Sequence, residues 1–266
     1  MSIVIDFTPT ALTPLPEPGG IYQVASEHVK FRLSTSLEVQ LELVPDVSRP
    51  NLYSWELADW IATSGSLSRT SIVDLGCGSG AIGVTAALAG AHHVTCVDNF
   101  DVAIDVTRRN CQANGAASVK VIRSDWLSSV DSNSNSRLVV VSSPPHTPIN
   151  TAMLEGLPVQ TPSFLGASFG GRDGLDAIRL ILDQLRGWDN WELILSVAGY
   201  QYVPILKLAG ALGLETEVLR RRPTRLSALG LYLRTYIESV SGYKFESQNG
   251  TSVGYCCLVR IVKRVD

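Results

Sequence analysis

Apolar and polar residues alternate from His28 to Leu33 and again from Leu37 to Leu43, on either side of Ser34-Thr35-Ser36. A period of two marks a half-buried strand, so the pair predicts a β-hairpin. Residues 45–50, with a proline at each end, are a loop. From Leu52 to Ala62 apolar side chains recur at helical spacing (Leu52, Trp55, Leu57, Trp60, Ile61), which predicts a helix. Beyond Ser71, short apolar runs take turns with helical stretches. The runs ending at Leu75, His93 to Val97, Val119 to Ile122, Leu138 to Val141 and Leu193 to Val197 predict strands. Ala81 to Leu88, Val102 to Ala113, Gly174 to Leu185 and Val203 to Leu212 predict helices, the last ended by Gly213. This alternation implies an α/β fold, a doubly wound and mainly parallel sheet with helices on both faces. Leu138 to Val141 is apolar throughout, which fits a central strand. Glu215 to Leu219 and Val253 to Val262 complete a seven-stranded sheet as an antiparallel edge pair.

Residues 1–66 are expected to hold an irregular lead-in, the hairpin and a helix. The lead-in contains Pro9, Pro14, Pro16, Pro18, Gly19 and Gly20. Residues 67–266 are expected to form the main domain, with an insertion at about 220–251 carrying a helix-like stretch, Leu226 to Val240. That insertion could act as a lid. Ser128 to Ser136 is a Ser/Asn-rich loop. No internal repeat is seen.

Composition narrows the class. The chain has 266 residues, 45% hydrophobic, enough for one large domain plus a small appendage. A net charge of -3 argues mildly against a grip on large nucleic acids. Cys77, Cys96, Cys111, Cys256 and Cys257 lack C-x-x-C spacing and are read as buried free thiols. With no leader-like start and no apolar run of about 18 residues, a cytoplasmic protein is expected.

The candidate chemistry begins where the first core strand ends. Gly76, Gly78 and Gly80 alternate just before a predicted helix. Glycines there let the backbone turn sharply and come close to a ligand. Gly78, Gly80 and Gly83 also satisfy G-x-G-x-x-G, so a dinucleotide has to be weighed. Asp74 points the other way, because a carboxylate at that strand end would repel a pyrophosphate. It suits a ligand with an ammonium group and no phosphate, such as S-adenosylmethionine. Asp98 ends the second core strand, about 20 residues past the glycines, where an acid can accept both ribose hydroxyls. Asp125 and Trp126 follow the third strand. The carboxylate can accept an adenine amino group and the indole can cover the base. After the fourth strand comes Ser142-Ser143-Pro144-Pro145-His146, where two prolines hold the chain extended.

On these residues the chain resembles known families. Ser71 to Gly83 resembles motif I of the class I methyltransferases. Ser143-Pro144-Pro145-His146 resembles the NPPY motif of N-methyltransferases that act on planar nitrogen, and its serine is similar to the SPPY form of cytosine-N4 DNA methyltransferases. Phe169-Gly170-Gly171-Arg172-Asp173-Gly174-Leu175-Asp176 looks like the GGxDGL segment of the HemK/PrmC protein-glutamine N5-methyltransferases. In that string Gly170 and Gly171 would turn and Asp173 would cap the next helix. The likeness covers roughly residues 28–200. It implies a Rossmann-like methyltransferase fold, with S-adenosyl-L-methionine as cofactor and S-adenosyl-L-homocysteine as product. By match of motif, cofactor contacts fall on Gly76, Cys77, Gly78, Ser79, Gly80, Asp98, Trp126 and Ser143. Asp74 and Asp125 join them on their own chemistry.

The same likeness gives Ser143, Pro144, Pro145 and His146 the catalytic corner. There the first residue and the proline carbonyl would orient the acceptor nitrogen. His146 replaces the family's tyrosine and could stack as a flat ring or act as a base. Two departures stand out. Only about 27 residues precede the hairpin, too few for the family's helical N-terminal domain, and Ser143 replaces an asparagine. The segment that typically reads PRPETE in the family here runs Ser48-Arg49-Pro50-Asn51-Leu52-Tyr53. The expected function is therefore N-methylation of a small molecule or peptide. Its rivals are a nucleic-acid or protein-glutamine N-methyltransferase and a silent cofactor-binding subunit. Arg220, Arg221, Arg222 and Arg225 either hold an anionic substrate group or form a solvated face. No metal and no membrane partner are implied.

Overall fold

The computed structural model describes residues 3–6, 26–67, 70–131, 137–157, 162–248 and 251–264. Most of the expected lead-in and part of the Ser/Asn loop, residues 132–136, lie outside them. Within the lead-in, Ile3–Asp6 form a strand, β1, where irregular chain was expected. It pairs parallel to β2 (Glu27–Arg32), which pairs antiparallel with β3 (Glu38–Leu43), so the predicted hairpin gains a third strand. α1 (Leu52–Thr63) follows, capped by the Asn51 side chain.

The core then alternates as predicted: β4 (Ser71–Leu75), α2 (Ala81–Leu88), β5 (His93–Asp98), α3 (Asp101–Ala113), β6 (Lys120–Arg123) and β7 (Leu138–Ser142). Two short helices come next, α4 (Thr151–Leu154) and α5 (Pro162–Ser168). They are followed by α6 (Asp176–Leu185), β8 (Trp191–Ala198), α7 (Tyr202–Ala211), β9 (Leu214–Arg225), α8 (Ala228–Ser241), β10 (Glu246–Gln248) and β11 (Thr251–Lys263).

The main sheet runs β9-β11-β8-β7-β4-β5-β6, with the short β10 also paired to β11. The strands β4 to β8 are mutually parallel, and β11 is antiparallel to both β8 and β9. β7 lies at the middle of this order and every residue in it is buried, as its apolar run requires. β9 continues past the expected Leu219 to Arg225. It can do so because β11 is 13 residues long and pairs with it from Val253 to Lys263. Helix α6 lays Ile178, Ile181, Leu182 and Leu185 on the β-sheet, where they share a core with Leu193 and Val259.

The hairpin docks on α3 through two asparagines. Asn110 accepts from Glu42 N–H and donates to Glu42 C=O and to Ser79 C=O. Asn114 does the same with Gln40. Each side-chain amide thus completes a strand edge that would otherwise lack partners.

Candidate active site

Four core strands end in register. Ser142 pairs with Leu75 and Leu75 pairs with Val97. The next residues along β7, β4 and β5 are therefore Ser143, Gly76 and Asp98, side by side at the carboxyl edge. Asp98 in turn is opposite Arg123 of β6, which leads to Asp125 and Trp126.

The glycine turn is built tightly. Gly76, Gly78 and Gly80 all have positive φ (73°, 55° and 80°), a region that side chains other than glycine rarely enter. The N–H groups of Gly76 and Cys77 both donate to Val97 C=O at 2.9 Å. Gly78 N–H donates to Asp98 Oδ2, and Gly78 C=O accepts from Thr107 Oγ1 at 2.9 Å. Cys77 and Ser79 are buried in this turn. A Cβ at Gly80 would come within 2.9 Å of Thr107, whereas one at Gly76 would meet nothing within 4 Å. The turn is closed on the α3 side and open at Gly76.

Asp74 is fully buried. Its Oδ2 accepts from Gly83 N–H at 2.8 Å, while Oδ1 has no hydrogen-bond partner among the described residues. Burial pushes its carboxyl up to about 7, partly offset by the Gly83 bond and reinforced by Asp98. Asp98 is held above the usual carboxylate range by burial, against its bonds from Gly78 and Phe100. A buried acid with an orphaned oxygen next to an open glycine turn fits an ammonium-bearing ligand. Asp125 is exposed. Trp126 adopts a φ of 50° and packs partly against the main core, so only part of its indole is free to cover a base.

At the end of β7, Ser142 Oγ donates to Leu75 C=O and is structural. Ser143 is partly buried, and its hydroxyl has no partner among the described residues. His146 Nδ1 lies 2.8 Å from Pro144 C=O. Burial holds the imidazole down to about 4, so the ring is neutral at ordinary pH. The glycine-rich string lies behind this corner. A Cβ at Gly170 would sit 2.7 Å from Pro145 C=O, and one at Gly174 would sit 2.3 Å from His146 C=O. Asp173 does not cap α6 as expected: the N-cap is Leu175 and has no side-chain cap bond, while Asp173 Oδ1 accepts from Leu175 N–H in the turn before the helix and its carboxylate pairs with Arg179.

Three further residues shape the corner. Tyr53, from the first turn of α1, meets the His146 ring edge-on at 4.7 Å. Tyr200, in the turn after β8, lies 6.5 Å from the same ring and hydrogen-bonds Thr147. Gln201 is buried, donates to Gly174 C=O and leaves Oε1 unpartnered. Helix α8 buries Leu233 and Ile237 against Tyr200 and Phe245 and so backs this wall. Sequence order hid these contacts, although an aromatic two residues after a helix-capping asparagine was a usable signal. Thr107 and Asn110 were legible in principle, as polar residues one turn apart on the apolar face of α3.

The arginine cluster needs correction. Arg220 pairs with Asp59 at 2.9 Å and Glu56 at 3.5 Å, and Arg222 pairs with Glu56. Both carboxylates are buried on α1, and Asp59 also accepts from Ser34. Arg221 stacks 3.5 Å over the Tyr255 ring. Arg220 and Arg222 thus fasten α1, and through Asp59 the hairpin, to the β9–β11 edge, whereas Arg221 and Arg225 are exposed, as the solvated-face reading expected. All five cysteines are free and buried. Among the described residues no helix is long and apolar enough to cross a membrane.

Comparison with known proteins agrees with this geometry. Residues 48–155 match the family Methyltransferase small domain. A release factor glutamine methyltransferase of Bacillus cereus is 36% identical over 43% of this chain and 40% of its own length. One from Coxiella burnetii is 26% identical over 72% of this chain and 69% of its own. The chain thus spans under half the length of the Bacillus relative. The solved tRNA m1G37 methyltransferase of M. jannaschii shares the fold, with a TM-score of 0.50 over 91% of this chain and 59% of that one, at 13% identity. Residues 48–155 thus match a methyltransferase domain, and the chain is similar to class I S-adenosylmethionine-dependent methyltransferases of the HemK-like branch.

Proposed function

We propose that the chain methylates a nitrogen in a planar group of a small molecule or short peptide, with residues 67–266 as the catalytic unit. The reading rests on one observation above all. Ser143, Gly76 and Asp98 stand in one row across β7, β4 and β5, and Asp74, two residues before Gly76 on β4, has an oxygen with no partner among the described residues. S-adenosylmethionine would supply an electrophilic methyl group on a sulfonium. Asp74 would take its ammonium group, the glycine turn would lie against it, and Asp98 would accept its ribose hydroxyls, with Asp125 and Trp126 at the base. Ser143 and Pro144 C=O would align the acceptor, and Pro145 would keep the corner rigid.

A second reading, methylation of a protein glutamine, draws on the names of the relatives. One feature of the corner weighs against it: Ser143 offers one short hydroxyl in place of an amide. Calorimetry with S-adenosylhomocysteine and with a nicotinamide dinucleotide tests the cofactor. Uptake of the first alone is expected, and uptake of only the second would overturn the reading. Labelled S-adenosylmethionine with small N–H acceptors and a release-factor glutamine peptide tests the substrate.

A further inference from the structure

His146 carries a nitrogen that no group among the described residues uses. Pro144 C=O can only accept, so the hydrogen between them sits on Nδ1. A neutral imidazole has one N–H, which leaves Nε2 as a bare lone pair. No group among the described residues bonds to it. Two phenols face the ring, Tyr53 from α1 and Tyr200 from the turn after β8, and both stay protonated because burial raises them. No charged side chain from these elements or from its own loop acts on the ring. Tyr53 holds it edge-on, with the ring planes 76° apart. Asn51 caps α1 by accepting from the N–H groups of Tyr53 and Ser54, which fixes where the Tyr53 ring starts.

We infer that His146 Nε2 accepts the proton released in methyl transfer, and that Tyr53 is the positioning residue that fixes the ring for it. The acceptor is then a neutral, flat group whose nitrogen or oxygen carries a proton. This deepens the methyltransferase reading and rests on it. The acceptor heteroatom forms a bond to the methyl carbon, and the electron pair of the broken carbon–sulfur bond stays on sulfur. The heteroatom's proton passes to Nε2. The carbonyl of Pro144, bonded to Nδ1–H, favours the positive charge that forms on the ring.

Diethyl pyrocarbonate tests the bare nitrogen directly, because it acylates only unprotonated imidazole. Peptide mass spectrometry follows His146, with N-acetylhistidine in the same tube as reference. Between pH 7.5 and 5.0 the reference rate should fall about 30-fold, as an ordinary imidazole does, while the His146 rate falls less than twofold. A His146 rate that tracks the reference overturns the inference. So does a His146 that labels only after denaturation.

In Tyr53→Ala the labelling midpoint should move up by about one pH unit or more as water reaches the ring. Affinity for S-adenosylhomocysteine should stay within about twofold. An unmoved midpoint removes Tyr53 from the proposal. With labelled S-adenosylmethionine, 4-methylaniline or 4-methylphenol should gain label, about 100-fold more slowly in His146→Asn. No label on either probe, or equal rates in the variant, overturns the base and the acceptor class. Failure of the wild-type protein to bind S-adenosylhomocysteine would instead overturn the methyltransferase reading, and the proton role with it.

Discussion

The carboxylate of Asp98 accepts a hydrogen bond from the amide of Gly78 at 2.9 Å, joining the tip of β5 to the middle of the glycine turn. Its other oxygen accepts from Phe100 N–H at 3.1 Å. Each carboxylate oxygen has a second lone pair, so the group can brace the turn and still accept two ribose hydroxyls. Replacing Asp98 with Ala should weaken S-adenosylhomocysteine binding by about 100-fold, the loss of two charge-assisted bonds. Asp98→Asn should fall between the two. Calorimetry checks this, and a loss under about threefold in Asp98→Ala would remove the ribose role.

Asp74 should release a proton when the cofactor binds. Its folded-state carboxyl is raised to about 7, so below that pH it is largely neutral. Pairing with an ammonium group favours the ionised form and expels the proton. Titrations with S-adenosylhomocysteine at pH 6.5, in buffers of different ionisation enthalpy, should report proton release that fades by about pH 8.5. Stability of the free protein runs the other way. The raised value means the folded state holds a proton that the unfolded chain loses from about pH 4 upward. Asp74 therefore lowers stability progressively up to pH 7 and by a constant amount above it. Asp74→Asn should raise stability at pH 8 by about 2–4 kcal/mol while abolishing the proton release.

Gly83 shows how little room the first turn of α2 leaves. A Cβ there would lie 2.1 Å from Cys96 Sγ and 3.2 Å from Asp74 Oδ2. Gly83→Ala should cost about 2–3 kcal/mol in urea unfolding. Adding Cys96→Ala removes the nearer obstacle and should recover about half of that loss. Failure of the double variant to recover would place the conflict at Asp74.

Arg222 should matter for stability and hardly at all for binding. It faces Glu56, a buried carboxylate that burial holds above its ordinary value even with Arg222 and Arg220 beside it. Arg222→Met leaves that charge short of a partner and should cost about 3 kcal/mol. Affinity for S-adenosylhomocysteine should remain within about twofold. A variant that folds as well as the parent yet loses acceptor methylation would restore a substrate role for the cluster.

Much of this molecule was legible along the chain. The period-two runs of the hairpin, the helical spacing of α1 and the apolar run of β7 each record local burial, and those elements form where the pattern places them. The glycine turn and the acids at strand ends were legible for the same reason. A tight turn needs positive φ, and parallel strands present their carboxyl ends on one edge.

What the chain could not display is which distant residues meet. Tyr53, His146 and Tyr200 converge, and Arg222 finds Glu56, only after the order and register of the sheet are set. The extension of β9 to Arg225 likewise follows from the length of its partner β11. Periodicity encodes how each residue faces its own element. The pairing of elements far apart in sequence is decided by how their surfaces pack, and that is what brought Tyr53 and Tyr200 to the His146 ring.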